Sequence, residues 1–248
     1  MKTSIYFYLS AAVWSLSSSL LGSVIIYQED FEGGAGILPN NTTQANLGFF
    51  GNFATFGEIS VSADASIETT GTNSVLELSS TGGFRGIGVA LDSGSFVGAG
   101  TYDIEFEIIG FELVDGNGNP SNGSPNDGSL VVNVYSANGF VQNSNNGLVL
   151  NAQQATLDPT SGGNASSTLI ANDELSFQDN PNTGIFNLNF EYNGTDEAIV
   201  IYIGAEPDGF PFPNIQIDDI VVSTVPEPSS ALYISIFAIT TLMRRSRS

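Results

Sequence analysis

The chain has 248 residues, with 26 acidic side chains against five basic ones, a formal charge of −21, and neither cysteine nor histidine. Four of the five basic residues, Lys2, Arg244, Arg245 and Arg247, lie near the ends, so Arg85 is the only cation of the middle; such a surface repels phosphate backbones and anionic headgroups, which excludes nucleic acid as a partner. The missing thiol and imidazole exclude zinc sites of the usual ligand types, cysteine nucleophiles and every His-based triad.

The chain opens with Lys2, an apolar stretch from Ile5 to Val13, the small-residue run Ser15 to Ser19, and Leu20-Leu21-Gly22-Ser23. That is the order of a secretory signal peptide, so residues 1–23 are expected to form a signal helix removed near Ser23. An uncleaved anchor helix is the other reading.

From Val24 onward, apolar and polar residues alternate with the period of half-buried strands. The spacing predicts strands over Val24–Phe31, Glu58–Ser62, Ser74–Leu78, Phe84–Leu91, Tyr102–Ile108, Leu130–Tyr135, Gly147–Leu150, Leu175–Gln178, Phe186–Tyr192, Ala198–Ile203 and Ile215–Val222. In the clearest of them Tyr102, Ile104, Phe106 and Ile108 share one face, and Asp103, Glu105 and Glu107 the other. Asp115 to Gly128, dense in Gly, Asn and Pro, reads as a long exposed loop. Its Asp115-Gly116-Asn117-Gly118-Asn119 spaces oxygen ligands, but Pro120 stands where a calcium loop of the EF-hand type needs glycine. Many short antiparallel strands without a blade-length repeat predict an all-β fold: one two-sheet antiparallel jelly-roll sandwich over residues 24–224.

Three segments carry a resemblance. They are the opening Tyr27-Gln28-Glu29-Asp30-Phe31-Glu32-Gly33-Gly34, the hairpin start Gly100-Thr101-Tyr102-Asp103-Ile104, and the closing Ile215-Gln216-Ile217-Asp218-Asp219-Ile220-Val221-Val222. Together they resemble the galactose-binding-like jelly roll shared by many carbohydrate-binding modules. The resemblance implies that the first and last strands lie together and that acids there hold a structural calcium. Carried over by position, those acids are Asp30, Glu32, Asp218 and Asp219. The alternative is a solvated turn beside a solvated strand end.

The ladder of Asp103, Glu105 and Glu107 is able to face sugar hydroxyls. Read as an enzyme, it offers an acid/base pair for glycoside hydrolysis, but residues side by side on one strand do not flank a bond. Phe49, Phe50, Phe53, Phe56, Phe210 and Phe212 lie in Gly- or Pro-rich segments and are the aromatic candidates for a sugar platform. The only tryptophan, Trp14, leaves with the signal peptide.

At the far end, Val225-Pro226-Glu227-Pro228 precedes an apolar run from Ala231 to Met243 and then Arg244, Arg245 and Arg247. Two prolines stop the preceding strand. The run is short for a bilayer of about 30 Å, and the arginines are expected to stay cytoplasmic. Motif, apolar span and terminal arginines resemble the C-terminal signal of PEP-CTERM proteins. That resemblance implies a short transmembrane helix held transiently in the inner membrane and cut by an exosortase-type enzyme, and a link to extracellular polysaccharide. The expected product is a non-catalytic cell-surface or extracellular-matrix protein of a bacterium. The alternatives are a secreted glycan-active hydrolase using an Asp/Glu pair and a protein-binding adhesin subunit.

Overall fold

The computed structural model describes residues 23–32, 42–43, 51–52, 59–61, 65–70, 73–79, 85–115, 117, 128–138, 148–151, 156–159, 166–176, 183–207 and 212–226. Nearly all of them are in strands. One three-residue 3-10 turn, Ser93–Ser95, is capped by Asp92, whose Oδ1 accepts from Ser95 N at 3.0 Å and Ser95 Oγ at 2.8 Å. Ile25–Ser223 forms a compact unit of its own.

The front sheet runs in the order β13 (Gly184–Tyr192), β8 (Gly100–Val114), β15 (Phe212–Thr224), β6 (Asn73–Ser79), β5 (Ala65–Thr70), with β1 (Ile25–Glu29) also paired to β15. The back sheet runs β12 (Ser166–Ser176), β9 (Gly128–Asn138), β14 (Ala198–Pro207), β7 (Arg85–Asp92), β4 (Ile59–Val61), β2 (Thr42–Thr43). A small third sheet joins β11 (Thr156–Pro159), β10 (Leu148–Asn151) and β3 (Gly51–Asn52). β2 and β4 pair in parallel, whereas β1 with β15, β15 with β6 and β6 with β5 in the front sheet, and β12, β9, β14, β7 and β4 taken in that order in the back, pair antiparallel. Taking the eight long strands in chain order from β6 to β15, the first pairs with the last (β6 with β15), the second with the seventh (β7 with β14), the third with the sixth (β8 with β13), and the middle two (β9 and β12) with each other. Nested pairing of this kind, wrapped into two sheets, is the jelly roll.

The core lies where the inward positions of both sheets meet. Tyr102, Ile104, Phe106 and Ile108 of β8 and Phe186, Phe190 and Tyr192 of β13 face Leu130, Val132, Val134, Ile199, Ile201 and Ile203 from the back. Tyr102 and Phe190 stack at 5.8 Å, and so do Phe106 and Phe186 at 4.7 Å. Geometries of this kind add to the burial of each ring.

Twice in the front sheet the alternation slips. On β15, Ile215 and Ile217 face inward, but so do Ile220 and Val222, which leaves one extra residue at Asp218-Asp219. On β8 the inward set ends at Ile108 and resumes out of step with Phe111, packed against the core, which leaves one extra residue at Ile109-Gly110. Slips of this kind re-aim side chains and open a ladder locally.

Several elements exceed the expected strands. β8 is 15 residues long rather than seven, β12 runs for 11 residues where only its last two, Leu175 and Ser176, were expected, and β5 was not expected. β12 is an edge strand with the mixed burial of a half-wet surface, so its alternation is weak. Asp115 and Asn117 close a tight turn, Asn117 N donating to Asp115 Oδ1 at 2.8 Å, at the start of the expected loop. The segments expected to form a signal helix and a transmembrane helix fall outside the described residues, and among the described residues no helix is long and apolar enough to cross a membrane.

Candidate functional site

One edge of β15 is shared by two partners. β6 pairs with Asn214 to Ile217, and β1 pairs with Ile220 to Ser223. The break falls at Asp218-Asp219, opposite the end of β1 and the start of β6. Both chains bend there through left-handed backbone, with φ 54° at Phe31 and 51° at Asp219. Asp visits that region more readily than Phe. Phe31 is held in it because its side chain is wholly buried, a burial worth roughly 1.5–3 kcal/mol.

The bend brings acids together. Asp218 is 4% exposed, its Oδ2 accepting from Asn73 Nδ2 at 2.7 Å and its Oδ1 from Asp219 N at 2.8 Å. Glu32 Oε1 accepts from Ser74 N at 3.4 Å. Asp30 Oδ1 accepts from Glu32 N at 3.2 Å, and Glu29 Oε1 from Phe31 N at 3.1 Å, so both brace the turn. Glu29 is 5% exposed, and its Oε2 is buried without a partner.

Burial lifts the Asp218 carboxyl above the ordinary carboxylate range. Its bonds to Asn73 and the Asp219 N–H pull the other way, while the charges of Asp219 and Glu32 push it further up. Glu29 is raised too, first by burial and then by the charge of Asp30, against the opposing N–H groups of Phe31 and Asp30. The neighbouring Tyr27 hydroxyl, buried and without a partner, is driven upward by burial and by Glu29.

Of the four acids expected to meet, Glu32, Asp218 and Asp219 are electrostatically coupled, whereas Asp30 acts on the turn. Three participants escaped the sequence reading: Glu29, Asn73 and Ser74. Glu29 carried a signal, because it sits two residues from the inward Tyr27 and is therefore an inward carboxylate. The donor set is all hard oxygen, the type calcium takes, and a cation would relieve the repulsion between Asp218 and its acidic neighbours. No cluster of three or more acidic, His or Cys side chains already arranged to hold a metal occurs among the described residues. A full shell therefore needs amide and carbonyl oxygens or water beside Asp218 and Glu32.

Of the sorting motif, Val225 is half-buried and Pro226 exposed; Glu227, Pro228, Arg244, Arg245 and Arg247 lie outside the described residues. So do Phe49, Phe50, Phe53, Phe56 and Phe210, and the side chain of Phe212. At the other side of the motif, Val24 N donates to Thr224 Oγ1 at 2.8 Å and Thr224 N donates to Val24 O at 2.9 Å.

The outer face of the front sheet is open and polar. Asp103, Glu105 and Glu107 stand beside Asn189, Asn187 and Ile185 of β13 respectively, and Ile185 is 69% exposed. Asn187 Nδ2 donates to Asp103 Oδ2 at 2.6 Å, and Thr101 Oγ1 to Glu191 Oε1 at 2.6 Å. Asp103 Oδ1 is buried without a partner, and its carboxyl is raised by burial, then lowered by Asn187 and raised by Glu105. The back sheet differs. Its outward positions Ala90, Val131, Tyr135, Ala198, Val200 and Tyr202 are all buried.

No protein-family model matches the chain. No curated protein matches it either. Among solved structures it is similar to the CBM22-1 xylan-binding domain of Paenibacillus barcinonensis Xyn10C, at 10% identity over 82% of this chain and 96% of that one, with a TM-score of 0.43. It is also similar to the C-terminal family 22 carbohydrate-binding module of Clostridium thermocellum Xyn10B, at 14% identity over 75% and 99%, with a TM-score of 0.36. A cyclase from Fischerella sp. in its apo form gives 11% identity over 84% and 89%, with a TM-score of 0.37. Likenesses this distant assign neither family nor ligand.

Proposed function

We propose that the chain is an exported, non-catalytic cell-surface or extracellular-matrix protein of a bacterium, sorted through its PEP-CTERM-like tail and holding extracellular polysaccharide on its jelly roll. The observation that carries the binding reading is the open front face, where carboxylates and amides lie in register over two strands. A polyol supplies hydroxyl donors along its length for the exposed acceptors of that face. The same ladder argues against hydrolysis, since Asp103, Glu105 and Glu107 stand on one side of anything laid across them. Calcium is proposed as a structural ion held by Glu32, Asp218 and Asp219, with Asp30 and Glu29 bracing the turn.

A glycan array probed with the exported protein, run beside hydrolysis assays on the same sugars, tests the central claim. Retention of a polysaccharide without turnover is expected, weakened by Asn187→Ala. Turnover, or an array without any bound sugar, overturns it. Mass spectrometry of the surface protein tests the route, and an intact C-terminus at Ser248 would sink the proposed processing.

A further inference from the structure

The second slip in the front sheet has made a cavity. Where the alternation of β8 breaks at Gly110, a hollow of about 130 Å³ opens between β8 and β15, lined by Gly110, Phe111, Glu112, Asn214 and Gln216. By the volume of liquid water it has room for about four molecules. Its floor depends on the glycine: a Cβ there would stand 2.9 Å from Gln216 Oε1. Gln216 is oriented by its other end, Nε2 donating to Glu77 Oε2 at 3.2 Å, so its carbonyl oxygen is the atom turned toward Gly110. Asn214 Oδ1 is buried without a hydrogen-bond partner. Glu112 is exposed at the rim.

The lining is rich in acceptors. Gln216 Oε1, Asn214 Oδ1 and the Glu112 carboxylate all accept, and one of the two Gln216 N–H groups is spent on Glu77. A ligand gains by bringing donors, and in a chain of charge −21 with only Arg85 as a cation outside the termini, it gains by bringing positive charge. Acidic polymers are repelled from the same face by Glu105, Glu107 and Glu77.

We infer that the hollow beside Gly110 is a subsite for an amine-bearing sugar unit, its ammonium and neighbouring hydroxyls donating to Asn214, Gln216 and Glu112. The inference rests on the glycan-binding reading and narrows it to cationic polysaccharides. The ladder from Asp103 to Glu107 lies on the same strand and face, about 17–30 Å from Glu112 at the usual rise per residue, so one chain is long enough to touch both.

Isothermal titration calorimetry on the full chain tests it with three probes of equal length: a β-1,4-linked glucosamine hexamer, its fully N-acetylated counterpart, and a hexauronate. The glucosamine hexamer is expected to bind best, and Glu112→Gln and Asn214→Ala each to weaken it about tenfold, the loss for one charge-assisted or buried hydrogen bond. Asp173→Asn removes the same charge from the exposed edge strand β12 and is expected to change affinity less than about twofold, as a screened, distant charge should. Gly110→Val fills the hollow and should abolish binding with an unchanged circular dichroism spectrum. Equal losses for Glu112→Gln and Asp173→Asn would reduce the effect to bulk charge and overturn the subsite. Equal binding of the N-acetylated hexamer overturns the amine while leaving glycan binding in place, and a calcium titration abolished by Asn214→Ala would reassign the hollow to a cation. An array without any bound sugar removes the broader reading and this one together.

Discussion

The two sheets of this sandwich share a core and differ on their outer faces. The front sheet turns Asp103, Glu105, Glu107, Asn187 and Asn189 outward and leaves Ile185 exposed. The back sheet buries both sides of β14, so Ala198 to Ala205 reads as an unbroken buried run. Tyr202 shows how tightly: a Cβ at Gly86 would stand 2.5 Å from its ring. A sheet wet on one face must alternate, and one dry on both need not. The difference directs the search for ligands to the front, where polar groups are both numerous and reachable.

The strongest test of that contrast places the same kind of change on both faces. Val200→Asp sets an unpaired carboxylate in the dry outer side of β14 and is expected to cost several kcal/mol, a large part of the ~5–15 kcal/mol available to a domain. Glu105→Gln, exposed on the front, should stay within about 0.5 kcal/mol or stabilise slightly by relieving repulsion along the ladder. Urea unfolding of both variants reads the comparison, and similar losses would mean that the back face admits water.

The same contrast explains what the sequence revealed. β8 and β13 announced themselves through strict alternation, and β14 through an apolar run bounded by turn residues. β12 was nearly missed because an edge strand with three successive exposed residues, Asn172 to Glu174, has no period to read. The junction was legible in part: the resemblance to the galactose-binding-like jelly roll implied that the first and last strands lie together, and β1 does pair with β15, which brings Glu32 near Asp218. Asn73 and Ser74 were not, since their part depends on where β6 begins. Both slips were nevertheless written in the chain. Ile215, Ile217, Ile220 and Val222 lose step across Asp218-Asp219, and Ile108 and Phe111 lose step across Gly110. Broken alternation inside a strong strand is the signal that points to both candidate sites.

The front sheet buries charge at the junction and also at Asp103 on the ladder, and this gives it a pH signature. Asp218, Glu29 and Asp103 are all raised, so between the ordinary carboxylate range and their folded values the folded chain binds more protons than the unfolded one. With chelator present, stability should therefore rise as pH falls through that window and level off below it. Calcium requires Asp218 deprotonated, so the increment it adds should shrink across the same window. At neutral pH, free calcium at 100 times its dissociation constant should add about 2.7 kcal/mol, beyond magnesium at equal ionic strength. Melting curves in the two cations and chelator decide this, and hydrogen exchange localises it: slowing is expected in β1 and β15 more than in β9 and β14. Identical curves in calcium and magnesium would leave the junction as ordinary buried charge.

The smallest effect separates two neighbours that the sequence presents as twins. Asp218 is buried and accepts two hydrogen bonds, whereas Asp219 is exposed and supplies the left-handed turn. Asp219→Gly removes the strain of φ 51° but loosens the unfolded chain, and the two terms, each about 1 kcal/mol or less, oppose one another. In chelator its midpoint should therefore lie within about 0.5 kcal/mol of the parent. Calcium then separates the roles. If the Asp219 carboxylate holds the ion, the calcium increment falls with the side chain; if Asp219 only bends the strand, the increment survives intact in the glycine variant. Asp218→Asn should lose the increment in either case, because its carboxylate is the buried charge on which Asn73, Glu32 and the end of β1 converge.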